Sequence, residues 1–177
     1  MSRSAGLRFG VMDTWLAVAS RREVREYADR DVPEGVVQRI LDAGRLAGSA
    51  KNRQPWRFLL VEDAGAREQL AEAVYEPTNV RGAQLVVAIL GRNSLDTGRA
   101  VQNMMLVAWN EGVGSCPNGI REPEQARAAL RLGADDEIAI VLTFGYPARE
   151  RDPLRHTPEE WSARANRKPL DEIVERL

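Results

Sequence analysis

Leu46-Ala47-Gly48-Ser49-Ala50-Lys51-Asn52-Arg53-Gln54-Pro55-Trp56-Arg57-Phe58 stands between an amphipathic run and an apolar one, Phe58-Leu59-Leu60-Val61. Small residues, then Asn and Gln, then Pro-Trp, mark a polar loop joining a helix to a strand. Such connections usually take only a few residues. This one is longer and rich in amide side chains. Taken alone, it fits a ligand-contacting loop and a plain surface loop equally well. The arginine cluster upstream, Arg21-Arg22-Glu23-Val24-Arg25, tips the balance toward a ligand. In an extended chain Arg21, Glu23 and Arg25 share one side, because strand side chains alternate. Guanidiniums converging in this way make a phosphate clamp, each donating through a planar fork. The plain alternative is a solvated charged turn.

The chain is 177 residues long with 44% hydrophobic and 29% charged residues, which suits one soluble globular domain with a proper core. A net charge of −1 argues against nucleic acid as the main partner. The single cysteine, Cys116, leaves no internal disulfide and fits a reducing compartment. One His and one Cys do not build a usual zinc site, so no metal is expected. The lone histidine, His156, reads as a loop residue in a polar segment, which leaves no Ser/His/Asp triad. Ala17-Val18-Ala19 looks like a signal-peptidase site, but the run before it is short and broken by Asp13. No stretch reaches transmembrane length. The expectation is a cytoplasmic protein with no membrane contact.

Apolar periodicity predicts the elements in order. Residues 1–10 form a lead-in, and 11–19 a short helix. Pro33 opens a second helix, with Val36, Val37, Ile40, Leu41, Gly44 and Ala47 on one face up to Gly48. Strands follow at 58–62, 85–90 and 138–144, the last two as buried apolar runs. Helices are expected at 64–75, 100–109 and 123–132, with Asp96 or Thr97 capping the middle one. That helix is apolar on most sides and needs cover from the domain centre or a second subunit. The run 113–119 reads as a small-residue loop that lets backbone approach a ligand. Residues 148–166 are polar and proline-punctuated, and 167–174 restart as a short helix. The order suggests an α+β domain with a mixed sheet covered by helices.

A GxGxxG turn after a strand and a GxxxxGK[ST] loop are both absent, so any phosphate must be held by arginine side chains. At this point the motifs become recognisable. Arg21-Arg22-Glu23-Val24-Arg25-Glu26-Tyr27, Ser49-Ala50-Lys51-Asn52-Arg53-Gln54-Pro55-Trp56, Asp96-Thr97-Gly98-Arg99-Ala100, Gly112-Val113-Gly114-Ser115-Cys116, and Gly145-Tyr146-Pro147 followed by Arg167-Lys168-Pro169-Leu170 stand in order. Together they resemble the FMN-dependent nitroreductase family over nearly the whole chain from Arg21 to Val174.

The resemblance implies an α+β homodimer with FMN at the subunit interface. It assigns phosphate and ribityl contacts to Arg21, Arg22 and Arg25, with Arg167 closing on the same phosphate. Ser49, Asn52 and Gln54 meet the ring and ribityl chain, often from the partner subunit. The backbone of Pro117, Asn118 and Gly119 faces the N5/O4 edge. It implies hydride transfer from NADH or NADPH through flavin N5 to a small electron acceptor such as a nitroaromatic or quinone, in ping-pong turnover. No side chain is required as a catalytic group, since the flavin carries the chemistry. Two departures stand out. Glu23 replaces a common Ser, and the segment between Tyr75 and Leu85 is short. Still open are a specialised relative (flavin-cleaving, dehalogenating or deazaflavin-using) and a non-catalytic flavin-binding or redox-sensing protein.

Overall fold

The computed structural model describes residues 12–177, so the lead-in and the start of the first expected helix lie outside it. In chain order the helices are α1 (Thr14–Ser20), α2 (Glu34–Arg45), α3 (Ala64–Ala73), α4 (Pro77–Gly82), α5 (Leu95–Asn110), α6 (Pro123–Ala129) and α7 (Pro158–Ala163). The strands are β1 (Arg57–Leu60), β2 (Leu85–Leu90), β3 (Gly114–Asn118) and β4 (Ile138–Gly145). These elements divide between two compact units, one of Arg22–Arg151 and one built from the chain up to Arg21 together with Asp152–Leu177.

The larger unit is a sheet with helices on both faces. Its strand order is β1-β2-β4-β3, and all three named pairings are antiparallel. The parallel part of the expected mixed sheet is one bridge, Glu23 to Ser115, on the outer edge of β3. All six residues of β2 are buried because their alternation feeds two cores. Val86, Ala88 and Leu90 join Leu70, Val74 and Val80 from the side of α3 and α4. Leu85, Val87 and Ile89 join Ile40, Met104 and Phe144 from the side of α2 and α5.

β3 corrects the reading of 113–119 as a loop. Its residues are Gly-Ser-Cys-Pro-Asn, which carry little strand propensity. Pairing with β4 in the register Cys116–Thr143 holds them extended all the same. Pro117 is tolerated because β3 is an edge strand, where a missing N–H need not break a ladder. Helix α3 stops at Ala73, short of the expected Tyr75, because Val74 leaves to bridge Ile120. Helix α5 begins at Leu95, and its cap is Ser94, whose Oγ accepts the Thr97 N–H at 3.3 Å. Its apolar surface is covered unevenly. Ala100, Met104, Met105, Ala108 and Trp109 are buried, while Val101, Leu106 and Val107 are half-buried.

In the smaller unit, Asp13 caps α1 by accepting the Leu16 N–H at 2.8 Å. Thr157 and Glu160 form a reciprocal capping box on α7. The Trp161 indole donates to the Pro153 carbonyl at 2.9 Å. The expected terminal helix is a single 3-10 turn, Leu170–Glu172.

Two glycines opposite each other in the β3–β4 register, Gly114 and Gly145, leave a notch on the sheet. A Cβ on Gly114 would lie 2.5 Å from Val24 Cγ2, and one on Gly145 would lie 2.8 Å from the Tyr27 ring. The notch is filled by the two residues that anchor the arginine-bearing segment. Gly114→Ala should therefore cost about 1–3 kcal/mol through overpacking. Urea unfolding measures this, and a change below about 0.5 kcal/mol, the size of ordinary surface effects, would refute the close approach.

Candidate functional site

The arginine segment is held extended by backbone bonds along two partners. Val24 N–H donates to the Ser115 carbonyl at 3.0 Å, Ala148 N–H to Glu26 at 2.9 Å, and Ala28 N–H to Tyr146 at 2.8 Å. Val24 is buried and Tyr27 half-buried, whereas Arg25 and Glu26 are exposed. The antiparallel bridge between Tyr27 and Pro147 runs the two chains past each other. Beyond the bridge the chain bends at Ala148 and Arg149, and Arg149 and Arg151 come to share a cleft with Glu23 and Arg25. The four side chains line one cleft of about 210 Å³, whose floor includes Val24 and Pro147.

Glu23 is half-buried, and its Oε2 accepts the Cys116 thiol at 3.4 Å. Burial first, then the Glu23 charge, pushes the Cys116 thiol up to about 11, with Arg25 acting in the opposite sense. Burial also raises the Tyr27 phenol above its ordinary range, and its bond to Thr143 partly offsets this.

Behind the cleft runs a buried polar network. Tyr27 Oη and Thr143 Oγ1 lie 2.9 Å apart, and Thr143 Oγ1 donates to the Cys116 carbonyl at 3.1 Å. Asn118 Nδ2 lies 3.1 Å from Thr143 Oγ1 and 3.0 Å from the Cys116 carbonyl, donating to both. Asn79 Nδ2 of α4 donates to Asn118 Oδ1 at 2.8 Å. Asn118 thus spends its side chain inside the protein, so only its backbone is available to a ligand. The Gly119 carbonyl is taken by the Tyr75 N–H at 3.1 Å. Pro117 is half-buried on the outer edge of β3.

The loop between α2 and β1 is tightly constructed. Lys51, Asn52 and Gln54 have φ of 54°, 53° and 49°, the left-handed region that non-glycine residues seldom adopt. Ser49 Oγ accepts the Gln54 N–H at 2.9 Å, and Asp96 Oδ2 accepts the Ala50 N–H at 2.9 Å. Arg99 reaches the Gly48 carbonyl at 3.4 Å. Asn52 and Gln54 are exposed, with Gln54 Nε2 donating to Asn52 Oδ1 at 3.3 Å. The first turn of α5 therefore holds an amide-rich loop in a strained shape with its side chains facing outward.

Arg22, Arg25, the amide loop and β3 all lie in the larger unit, whereas Arg21 and Arg167 belong to the smaller one. Arg21 is half-buried at the C-cap of α1, and exposed Arg167 donates to the Ala165 carbonyl at 2.9 Å. The sequence reading missed Arg149 and Arg151. A signal was present, since Arg149 and Arg151 are two residues apart and share one side of an extended chain. Among the described residues no group of three or more His, Cys, Asp or Glu is placed to hold a metal, and no helix is long and apolar enough to cross a membrane.

A model of the nitroreductase family matches residues 18–94 and 90–146. The protein named "Putative NADH dehydrogenase/NAD(P)H nitroreductase" of Archaeoglobus fulgidus is 31% identical over 149 residues, covering 76% of this chain and 86% of its own. A crystal structure of a nitroreductase family protein from Clostridium difficile superposes with a TM-score of 0.78 at 25% identity, covering 93% of this chain and 98% of its own. A Desulfovibrio desulfuricans structure titled as a "putative nitroreductase in complex with fmn" superposes at 0.76 with 28% identity, covering 94% and 98%.

With its thiol raised from 9.0 to about 11, Cys116 should be nearly inert toward iodoacetamide at pH 8. Two units leave about a hundredfold less thiolate than in the unfolded chain, before access is counted. The buried thiol stabilises fully below the unfolded value, and that contribution is lost as pH rises from about 9 toward about 11. Labelling of folded and urea-unfolded protein at equal rates would refute the assignment.

Proposed function

The chain belongs to the nitroreductase family, and from that footing we propose that it is an FMN-dependent oxidoreductase taking electrons from NAD(P)H and passing them to a small acceptor such as a nitroaromatic or quinone. The observation that carries the reading is the meeting of Arg25, Arg149 and Arg151 on one cleft. All three are exposed, and Arg25 also makes a side-chain hydrogen bond with Cys116, so an anion in the cleft would meet three guanidiniums. Planar forks suit a phosphate better than ammonium groups do. The donor set therefore fits the phosphate end of FMN.

Glu23 and Glu26 line the same cleft and restrict where a phosphate can sit. A half-buried carboxylate at Glu23 suits a ribityl hydroxyl, which donates to it without adding charge. Arg22, Arg21 and Arg167 are proposed as further phosphate contacts. The outer edge of β3 at Pro117, Asn118 and Gly119 lends backbone to the ring, stiffened from behind by the network through Thr143 and Asn79. Ser49, Asn52 and Gln54 stand ready on an outward-facing loop and are proposed to reach the ring of a second copy in a homodimer. Bound FMN supplies the hydride-accepting and hydride-donating ring, which is why no acid–base pair is demanded of the protein.

The test uses apoprotein and added FMN, followed by fluorescence quenching. Arg25→Ala and the double variant Arg149→Ala/Arg151→Ala should each weaken FMN binding by roughly tenfold or more. Their melting temperatures without FMN should stay close to wild type, because exposed arginines add little stability. Unchanged affinity in both would end the clamp assignment. Anaerobic NADH or NADPH should bleach the holoprotein, and an added quinone should restore its colour. A flavoprotein that neither nicotinamide bleaches would be a carrier of the cofactor instead of an oxidoreductase.

A further inference from the structure

A second cleft, of about 310 Å³, opens in the larger unit where β1 ends and β2 begins. Val37 from α2, Leu60 from β1, and Leu85 and Val86 from β2 form an apolar side of its wall, while polar surface predominates in the lining as a whole. Into it comes Arg67 from the first turns of α3. The Arg67 Nε is buried and has no hydrogen-bond partner among the described residues. The more exposed Arg39, Arg57 and Arg81 all reach carboxylates, Arg39 with Glu111, Arg57 with Asp136, and Arg81 with Glu68 and Glu72. The half-buried arginine does not. Burial alone lowers its pKa, with no neighbouring acid acting against it. A half-buried guanidinium with one buried, unbonded N–H and no counter-charge carries a desolvation cost, and proteins usually satisfy such a group.

We propose that this cleft is a binding site for a small monocarboxylate with an apolar body. The carboxylate docks on Arg67, and the body lies against Val37, Leu60 and Leu85. The lining decides the charge. Glu34 and Glu62 also border the cleft, Glu34 already accepting from Gln38 at 2.6 Å. Both acids are exposed at the rim, where solvent screens them, whereas the Arg67 Nε is buried; a single carboxylate can pair with the guanidinium, and a dianion would add repulsion from the two acids. The volume lies at the lower end for small-molecule pockets, about 300–1,000 Å³, which limits the occupant to a compact acid. The site is independent of the flavin reading, because none of its lining residues belongs to the cleft at Arg25.

Phenylacetate and its uncharged analogue phenylacetamide are suitable probes, titrated by calorimetry into the full-length protein. Phenylacetate should bind wild type at least about tenfold more tightly than phenylacetamide, and Arg67→Gln should remove that preference. Without ligand, Arg67→Met should melt at or above the wild-type temperature, because an unpaired buried charge is gone. FMN content measured on the same samples should be unchanged. No phenylacetate binding at millimolar concentration, equal affinity for acid and amide, or a preference that survives in Arg67→Gln would each overturn the proposal. So would a lower melting temperature of Arg67→Met with phenylacetate binding intact, which would make Arg67 a packing residue.

Discussion

Most of the site geometry depends on how Val24 and Tyr27 seat against two facing glycines of the sheet. Gly114 and Gly145 stand opposite each other on β3 and β4, and neither could carry a Cβ without striking that segment. Val24 and Tyr27 both pack against the sheet, and Arg25 and Glu26 between them are left exposed. The bridge from Tyr27 to Pro147 then draws the strand after Gly145 alongside. Two stretches more than a hundred residues apart thereby line one cleft with three guanidiniums.

Polarity is arranged in depth behind that surface. The outer cleft carries full charges in solvent, where attraction is screened and cheap to reorganise. Beneath it, Tyr27, Thr143, Asn118 and Asn79 form a buried chain of neutral hydrogen bonds running from the cleft to α4. Neutral groups suit that depth, since a buried charge would need a partner. The Cys116 thiol and Tyr27 phenol keep their protons there for the same reason, burial being the first cause of both raised values. This network gives β3 a rigid backing although its sequence has little strand preference. The loop of Ser49, Asn52 and Gln54 shows the complementary device. Strain in three left-handed residues is held by Asp96 and Arg99 at the start of α5, so exposed amides keep one orientation.

Legibility in the sequence followed the strength of local signals. β2 and the core of β4 were readable because unbroken apolar runs bounded by turns leave few alternatives. α2 was readable from its single apolar face. β3 was missed because Gly-Ser-Cys-Pro-Asn has no apolar alternation, and only pairing with β4 makes it a strand. α4 went unread because six residues beginning at Pro77 give too short a periodic signal. The arginine cluster was legible as a motif; of the three residues expected on one side, Glu23 and Arg25 line the cleft, whereas Arg21 belongs to the smaller unit. Arg149 and Arg151 were in plain view in a stretch that looked only polar.

The amino-acid sequence alone, though not β3 or α4, determined most of the longer elements, the burial of β2, the arginine and amide motifs, and the family they resemble. All of these rest on spacing within a few residues, which local geometry converts directly into faces and turns. Tertiary structure decided which charges meet. Arg25 finds Arg149 and Arg151 through a bridge across the sheet edge, Asn118 turns inward to Asn79, and the Arg67 Nε is left without a partner beside a cleft. Such pairings depend on strand register and on the space a missing Cβ leaves, and neither is written in the neighbourhood of the residues concerned.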